Sequence, residues 1–79
     1  METGTVRGVR ATDLENWFTY HAPNAEQLPR YQRLREQGLL LANAILVNTP
    51  PGPDQTAAIR KVREAVMTAN QAIACAEST

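Results

Sequence analysis

The chain has 79 residues, enough for one small domain, and its eight acidic side chains balance its eight basic ones. A net charge of zero disfavours a protein that coats DNA or RNA, because such proteins usually present a positive field to the phosphates. The single cysteine, Cys75, excludes an intrachain disulfide. We therefore expect self-association to supply the stability that so small a domain lacks.

The sequence predicts neither a membrane protein nor an enzyme. No stretch is apolar over the roughly 20 residues that span a bilayer, and the opening METGTVRGVRATD lacks the apolar centre of a signal peptide. The expected compartment is therefore the cytoplasm. With one histidine, His21, no glycine-rich phosphate loop and no metal-ligand spacing, we expect no catalytic residue, no metal and no cofactor.

We expect residues 1–16 to form a flexible N-terminal arm and residues 17–79 to form the folded domain. The arm can contain a short helix, because the TDLE motif at Thr12 is typical of a capping box and predicts a helix as far as Phe18. Trp17 and Phe18 are typical of anchors that pin such an arm to a core. Pro23 prevents the short helix from continuing.

The first long helix is predicted to begin between Asn24 and Arg30, and two starting points fit the sequence. Asn24 and Gln27 have the spacing of a capping box, whereas Pro29 is suited to the first helical position. Apolar residues then recur at spacings of three, four, three and four, which indicates one buried helical face. That face comprises Tyr31, Leu34, Gly38, Leu41 and Ile45. A second apolar stripe, Leu39, Ala42 and Leu46, lies beside it.

The segment NTPPGPD, residues 48–54, interrupts the helical pattern and predicts a turn, with Asp54 as the cap of the next helix. The same spacing then returns at Ile59, Val62, Val66, Ala69 and Ile73, and the helix is expected to end near Ala76. The predicted fold is all-α, a helical hairpin of two long antiparallel helices preceded by a short helix or arm. Because two helices cover only one face of each other, the remaining apolar surface predicts a compact homo-oligomer, for which four-helix dimers and larger rings both suffice.

All the aromatic residues and the histidine lie between Trp17 and Tyr31, and arginines follow closely. Tyr20 lies in a segment between helices, where its ring is able to stack on a nucleobase. Arg35 carries a planar guanidinium that is able to stack on a base or bind a phosphate through two hydrogen bonds. Tyr31 instead belongs to the apolar face of the first long helix. His21 could either contribute to such a binding site or serve only to brace the turn before Pro23.

Two segments carry a resemblance to a known family. They are FTYHAPNAEQLPRYQRLR, residues 18–35, and AIRKVREAVMTANQAIA, residues 58–74. Together they resemble the anti-CBASS phage family of cyclic-oligonucleotide sponges, of the Acb2/Tad1 hairpin-domain type. The resemblance implies a helical hairpin that assembles into a hexamer in the cytoplasm of the infected bacterial host. It also implies a protein that binds cyclic nucleotide messengers such as cGAMP, leaves them intact, and so blocks activation of the CBASS effector.

The resemblance implies a cyclic-dinucleotide pocket where protomers meet, closed by a tyrosine and a basic residue that match Tyr20 and Arg35. We add Thr19, His21, Pro23 and Arg30 to this candidate site. A separate cyclic-trinucleotide site is less expected, because the ending AIACAEST lacks the late basic residue that relatives often carry. Thr68 also replaces a tryptophan that is common in relatives, which we expect to alter packing between protomers.

Two other classes of function fit the same helices. A structural hairpin oligomer or a protein-binding adaptor would explain the uncovered apolar surface without any nucleotide ligand. A helix-turn-helix DNA-binding protein is disfavoured, because the turn is long and rich in proline and the net charge is zero. We therefore expect no DNA, RNA or membrane partner.

Overall fold

A computed structural model describes residues 9–77, which form three helices and no strand. Helix α1 spans Ala11–Trp17, α2 spans Leu28–Asn48 and α3 spans Pro53–Ala76. The predicted all-α hairpin is confirmed within these residues. Half of the predicted arm, residues 1–8, lies outside the described residues, and the boundary proposed after residue 16 stays a prediction.

Helix α1 begins one residue before the predicted capping box. Arg10 takes the cap position, and its backbone N–H donates to Asp13 Oδ2 at 3.1 Å. The Arg10 guanidinium also bonds to Asp13, and these side-chain and backbone hydrogen bonds hold the pKa of that carboxyl below its ordinary value. Thr12 therefore lies inside the helix. The predicted cap at Thr12 is wrong, because Arg10 closes the capping box with Asp13 instead.

Both features proposed for the start of α2 are present together. Asn24 Oδ1 accepts from the backbone N–H of Gln27 at 2.9 Å, and Gln27 Oε1 accepts from the backbone N–H of Asn24 at 3.1 Å. This reciprocal pair closes a turn at residues 24–27, after which the helix begins at Leu28 with Pro29 in its first turn. Gln27 is the one described residue that is fully buried, with 3% of its surface exposed.

Contacts at both ends show that α2 and α3 run antiparallel. Near one end of the hairpin, Gln55 Nε2 donates to Leu46 O at 3.2 Å and to Thr49 O at 3.0 Å. At the other end, Arg30 in α2 forms an ion pair with Glu77, which follows α3. Helix α3 begins at Pro53 after Gly52, so Asp54 lies in the first turn and is not the cap that the sequence predicted. Proline is favoured at this first position because its missing N–H has no helical partner there.

The two long helices approach closely at Gly38. A Cβ atom at this position would lie 2.5 Å from Val66 Cγ2, so only glycine fits without movement. Each residue advances about 100° around the axis of a helix. Viewed down the axis of α2, position 42 is therefore rotated by about 40° from Gly38, and position 41 by about 60° in the opposite direction. Ala42 is accordingly half-buried, whereas Leu41, which the sequence placed on the inner face, is 54% exposed.

The described part of one chain does not close a hydrophobic core. The predicted inner face of α3 is confirmed as half-buried, yet none of the described apolar side chains is fully buried. Several large apolar side chains of the hairpin are at least half exposed: Leu39, Leu40, Leu41, Leu46, Val47 and Met67. This surface lies on a pair of helices that contact each other along one face only.

Acid is expected to weaken the ion pair that joins the start of α2 to the end of α3. Hydrogen bonds from the Arg30 guanidinium hold the pKa of Glu77 below its ordinary value of 4.5. A depressed folded-state pKa stabilises the fold above the unfolded-state pKa, and this contribution is lost as pH falls through the folded-state pKa. Glu77→Gln should therefore lower the melting temperature at neutral pH, and its difference from the wild type should shrink on acidification below pH 4.5.

Glu64→Gln provides the matched control, because Glu64 is an exposed glutamate that takes part in no ion pair among the described residues. Melting curves of the three proteins across this pH range would test the link. An equal difference between Glu77→Gln and wild type at every pH would contradict it.

Candidate functional site

Tyr20 is displayed on the segment that connects α1 to α2. Its side chain is 83% exposed, and its neighbour Phe18 is 85% exposed. Phe18 is therefore not an anchor within the chain, contrary to the expectation from sequence. Trp17 is 48% exposed, so about half of its surface is buried within the chain. Tyr20 thus presents an accessible aromatic face, as base stacking requires.

The residues on either side of Tyr20 hold the segment against α1. Thr19 Oγ1 donates to Glu15 O at 2.5 Å, so the hydroxyl closes the end of this helix. His21 Nε2 lies 2.7 Å from Asn16 O. Because a carbonyl oxygen only accepts, Nε2–H is the donor in this hydrogen bond. Both candidate residues therefore brace the loop within the chain.

Tyr20 and His21 line two adjoining cavities. The first, which we term the aromatic cavity, has a volume of about 430 Å³ and is lined by residues 17–21 together with Gln71 and Ala74 of α3. The second, of about 340 Å³, lies between residues 20–27 and the end of α3. Both volumes fall within the roughly 300–1,000 Å³ of small-molecule sites. Pro23 shapes the connecting segment but lines neither cavity.

Arg30 is engaged inside the chain. Its Nη1 donates to Glu77 Oε2 at 3.1 Å, and Nη2 bonds to the other carboxylate oxygen. This bidentate contact with Glu77 raises the pKa of the Arg30 guanidinium above its ordinary value. Arg30 Nε is buried and has no hydrogen-bond partner among the described residues. Arg30 thus fastens α2 to the end of α3, and a ligand would have to compete with Glu77 for it.

Arg35 lies on a different surface from Tyr20. It lines a groove of about 400 Å³ between α2 and α3, which we term the hairpin groove. Apolar side chains form most of the groove, and Arg63 and Asn70 add polar atoms. Asn70 Oδ1 is buried there without a hydrogen-bond partner, and Arg35 takes part in no ion pair, as far as the described residues show. The candidate site is therefore divided between two surfaces of one chain.

Two hydrogen bonds that fix the loop region were not predicted from the sequence. Asn16 Nδ2 donates to Cys75 O at 3.1 Å, and Gln27 Nε2 donates to Glu77 O at 3.5 Å. Each bond joins the loop region to the end of α3, at Cys75 in its last turn or at Glu77 just after it, across at least 50 residues of sequence. No local periodicity or motif predicts such contacts. The one usable signal was the capping spacing of Asn24 and Gln27, which reveals a constrained turn but not its partner.

The described helices show no arrangement for a metal or a membrane. Between residues 9 and 77, no group of three or more His, Cys, Asp or Glu side chains is placed to hold a metal ion. None of the helices in that range is long and apolar enough to cross a bilayer.

Residues 10–74 match the family model described as Acb2/Tad1, hairpin domain. The match covers all of α1 and α2 and nearly all of α3, and it confirms the resemblance seen in the sequence. No curated protein and no solved structure matches the chain.

Proposed function

Because the chain belongs to the Acb2/Tad1 hairpin-domain family, we propose that it is a phage immune-evasion protein that sequesters cyclic oligonucleotide second messengers. Membership supports an anti-CBASS, cyclic-nucleotide-binding role, and the family consists of sponge-type binding proteins rather than enzymes. In this proposal the ligands are cyclic dinucleotides such as cGAMP. The protein holds them uncleaved in the cytoplasm of the infected bacterium, and the CBASS effector stays inactive.

The observation that carries the proposal is the display of Tyr20. The Tyr20 ring is 83% exposed on a loop braced by Thr19 and His21, so its apolar face is left in water within one chain. A purine offers such a ring a flat apolar partner, and base stacking is worth roughly 1–3 kcal/mol per base. The adjoining cavities leave room beside the ring for the rest of the ligand.

Self-association completes the proposed site. Tyr20 and Arg35 line different cavities of one chain, and we propose that a ligand that contacts both takes its Arg35 from a second chain. The exposed apolar surface of the hairpin favours such contacts, because burying it removes apolar area from water at about 25 cal/mol per Å². We therefore propose a compact homo-oligomer, a hexamer, whose chains share each cyclic-dinucleotide pocket.

The second candidate function is a structural hairpin oligomer or a protein-binding adaptor without a nucleotide ligand. The exposed leucines of α2 favour it equally, because any apolar partner would cover them. The display of Tyr20 separates the two candidates. The two open cavities beside the exposed ring favour the nucleotide-binding site, because stacking requires an accessible ring with room for the rest of the ligand.

Ligand recovery tests the sponge mechanism. We expect the protein to retain a cyclic dinucleotide on a desalting column and to release it unchanged on denaturation, because the family consists of sponge-type binding proteins rather than enzymes. Chromatography of the released nucleotide against a protein-free control would measure this. Linear or hydrolysed product in proportion to the protein would contradict sequestration, and an unretained ligand would favour the adaptor.

A further inference from the structure

We propose that Asn16 is a positioning residue for Tyr20 and sets the affinity for the ligand without touching it. The inference rests on the proposed function for its binding measurement, but its structural content is independent. Asn16 is half-buried, one residue before the end of α1. It makes hydrogen bonds to two other segments of the chain, the last turn of α3 and the loop that carries Tyr20.

The first segment that Asn16 contacts is the last turn of α3. Its side-chain Nδ2 donates to Cys75 O at 3.1 Å, and Cys75 Sγ lies 3.8 Å from the Asn16 carbonyl oxygen. Gln71 Nε2, one turn earlier in α3, lies 2.9 Å from the same sulfur. The amide of Asn16 therefore docks α1 on the hairpin through a polar contact, at a place where the apolar neighbours Trp17 and Phe18 remain largely exposed.

The second segment is the loop itself. The Asn16 carbonyl oxygen accepts the Nε2–H of His21 at 2.7 Å, and His21 adjoins Tyr20 in sequence. The Tyr20 side chain has no hydrogen bond to another described residue. The position of the Tyr20 ring therefore depends on its neighbours Thr19 and His21, which are hydrogen-bonded to α1. Asn16 in turn attaches α1 to α3.

The contacts of Asn16 are expected to raise the affinity for the ligand, because they hold the Tyr20 ring in place before the ligand binds. A ring already held in its bound position loses less conformational entropy when a ligand arrives. Without the Asn16 side chain, α1 and the loop move relative to α3, and the aromatic cavity between them loses its shape. Since the ring itself is unchanged, the loss should be smaller than the loss of the ring.

A double-mutant cycle distinguishes positioning from general stability. Asn16→Ala should weaken cyclic-dinucleotide binding about 2- to 10-fold, the range of one net hydrogen bond. In a Tyr20→Ala background the same change should cost less than twofold, because no ring remains to be positioned. Asn16→Asp, which keeps the shape but presents a carboxylate to the Cys75 carbonyl, should bind no more tightly than Asn16→Ala. Calorimetric titration with a cyclic dinucleotide would measure all of these affinities.

Asn48→Ala is the matched control. Asn48 Nδ2 also donates to a backbone carbonyl, that of Ala44 at 2.7 Å, but the bond lies within α2 at the far end of the hairpin. This variant should bind like the wild type. Equal losses from Asn16→Ala in the wild-type and Tyr20→Ala backgrounds would overturn the positioning role, and so would wild-type affinity in Asn16→Ala.

A measurement on the ligand-free protein keeps the inference separate from the proposed function. Backbone ¹⁵N relaxation at Tyr20 should give an order parameter near the rigid value of about 0.85 in the wild type and a lower value in Asn16→Ala. A wild-type value below about 0.6 would overturn the inference even if no variant folds. If the wild type binds no cyclic dinucleotide, the proposed function fails while the relaxation result still decides whether Asn16 orders the loop.

Discussion

Tyr20→Ala should weaken cyclic-dinucleotide binding about 5- to 150-fold, the equivalent of roughly 1–3 kcal/mol for the loss of one stacked base. The ring is 83% exposed and forms no hydrogen bond with another described residue, so its removal leaves no internal contact to repair. Tyr20→Phe should lose less, because the aromatic face survives. Titration calorimetry with a cyclic dinucleotide would measure the three affinities.

Sedimentation of the same samples is the control for this prediction. Tyr20→Ala should keep the mass of the wild-type assembly if the ring lines a pocket. Tyr31→Ala should instead damage folding or assembly, because Tyr31 is half-buried on the inner face of α2. Wild-type affinity in an assembled Tyr20→Ala protein would contradict the site. A variant that neither binds nor assembles would identify Tyr20 as an interface residue.

Gly38→Ala should destabilise the hairpin even though alanine is the better helix former. The added Cβ would lie 2.5 Å from Val66 Cγ2. Val66 is β-branched and has few rotamers in a helix, so α2 and α3 must separate. Overpacking of this kind costs about 1–3 kcal/mol, of which helix propensity returns about 1 kcal/mol. We expect a net loss of up to about 2 kcal/mol in the free energy of unfolding, measured by urea denaturation.

Val66→Ala supplies the matched background for this test. Removing the valine methyl groups removes the atom that the new Cβ meets, so Gly38→Ala should become neutral or stabilising when Val66 is already alanine. The change of sign is the diagnostic result. A destabilisation of the same size in both backgrounds would show that Gly38 does not lie where the helices approach.

The helical part of the fold could be predicted because it depends on local spacing. Apolar residues at three- and four-residue intervals identified α3 and its inner face, and the proline-rich segment at residues 48–54 marked the turn. The spacing could not distinguish Leu41 from Ala42, because both are apolar and lie on either side of the line through Gly38. Only the close approach to Val66 fixes that line.

The candidate site could be predicted less completely, because its geometry depends on contacts between distant parts of the chain. The sequence indicated Tyr20 as an accessible ring, and the structure exposes it. It did not indicate that Arg30 is held by Glu77, 47 residues later, or that Asn16 bonds to Cys75. Nor could spacing reveal that Tyr20 and Arg35 line different cavities, since that depends on how the loop folds back on α3.

Calorimetric titration of the unaltered protein with cyclic dinucleotides tests the central claim most directly. Sedimentation at the same micromolar concentration should give a species several times the mass of one 8.7 kDa chain. The account predicts saturable binding of a cyclic dinucleotide to this assembly, and no comparable heat from the linear dinucleotide. An assembled protein that produces no binding heat with any cyclic oligonucleotide of a representative panel would contradict it.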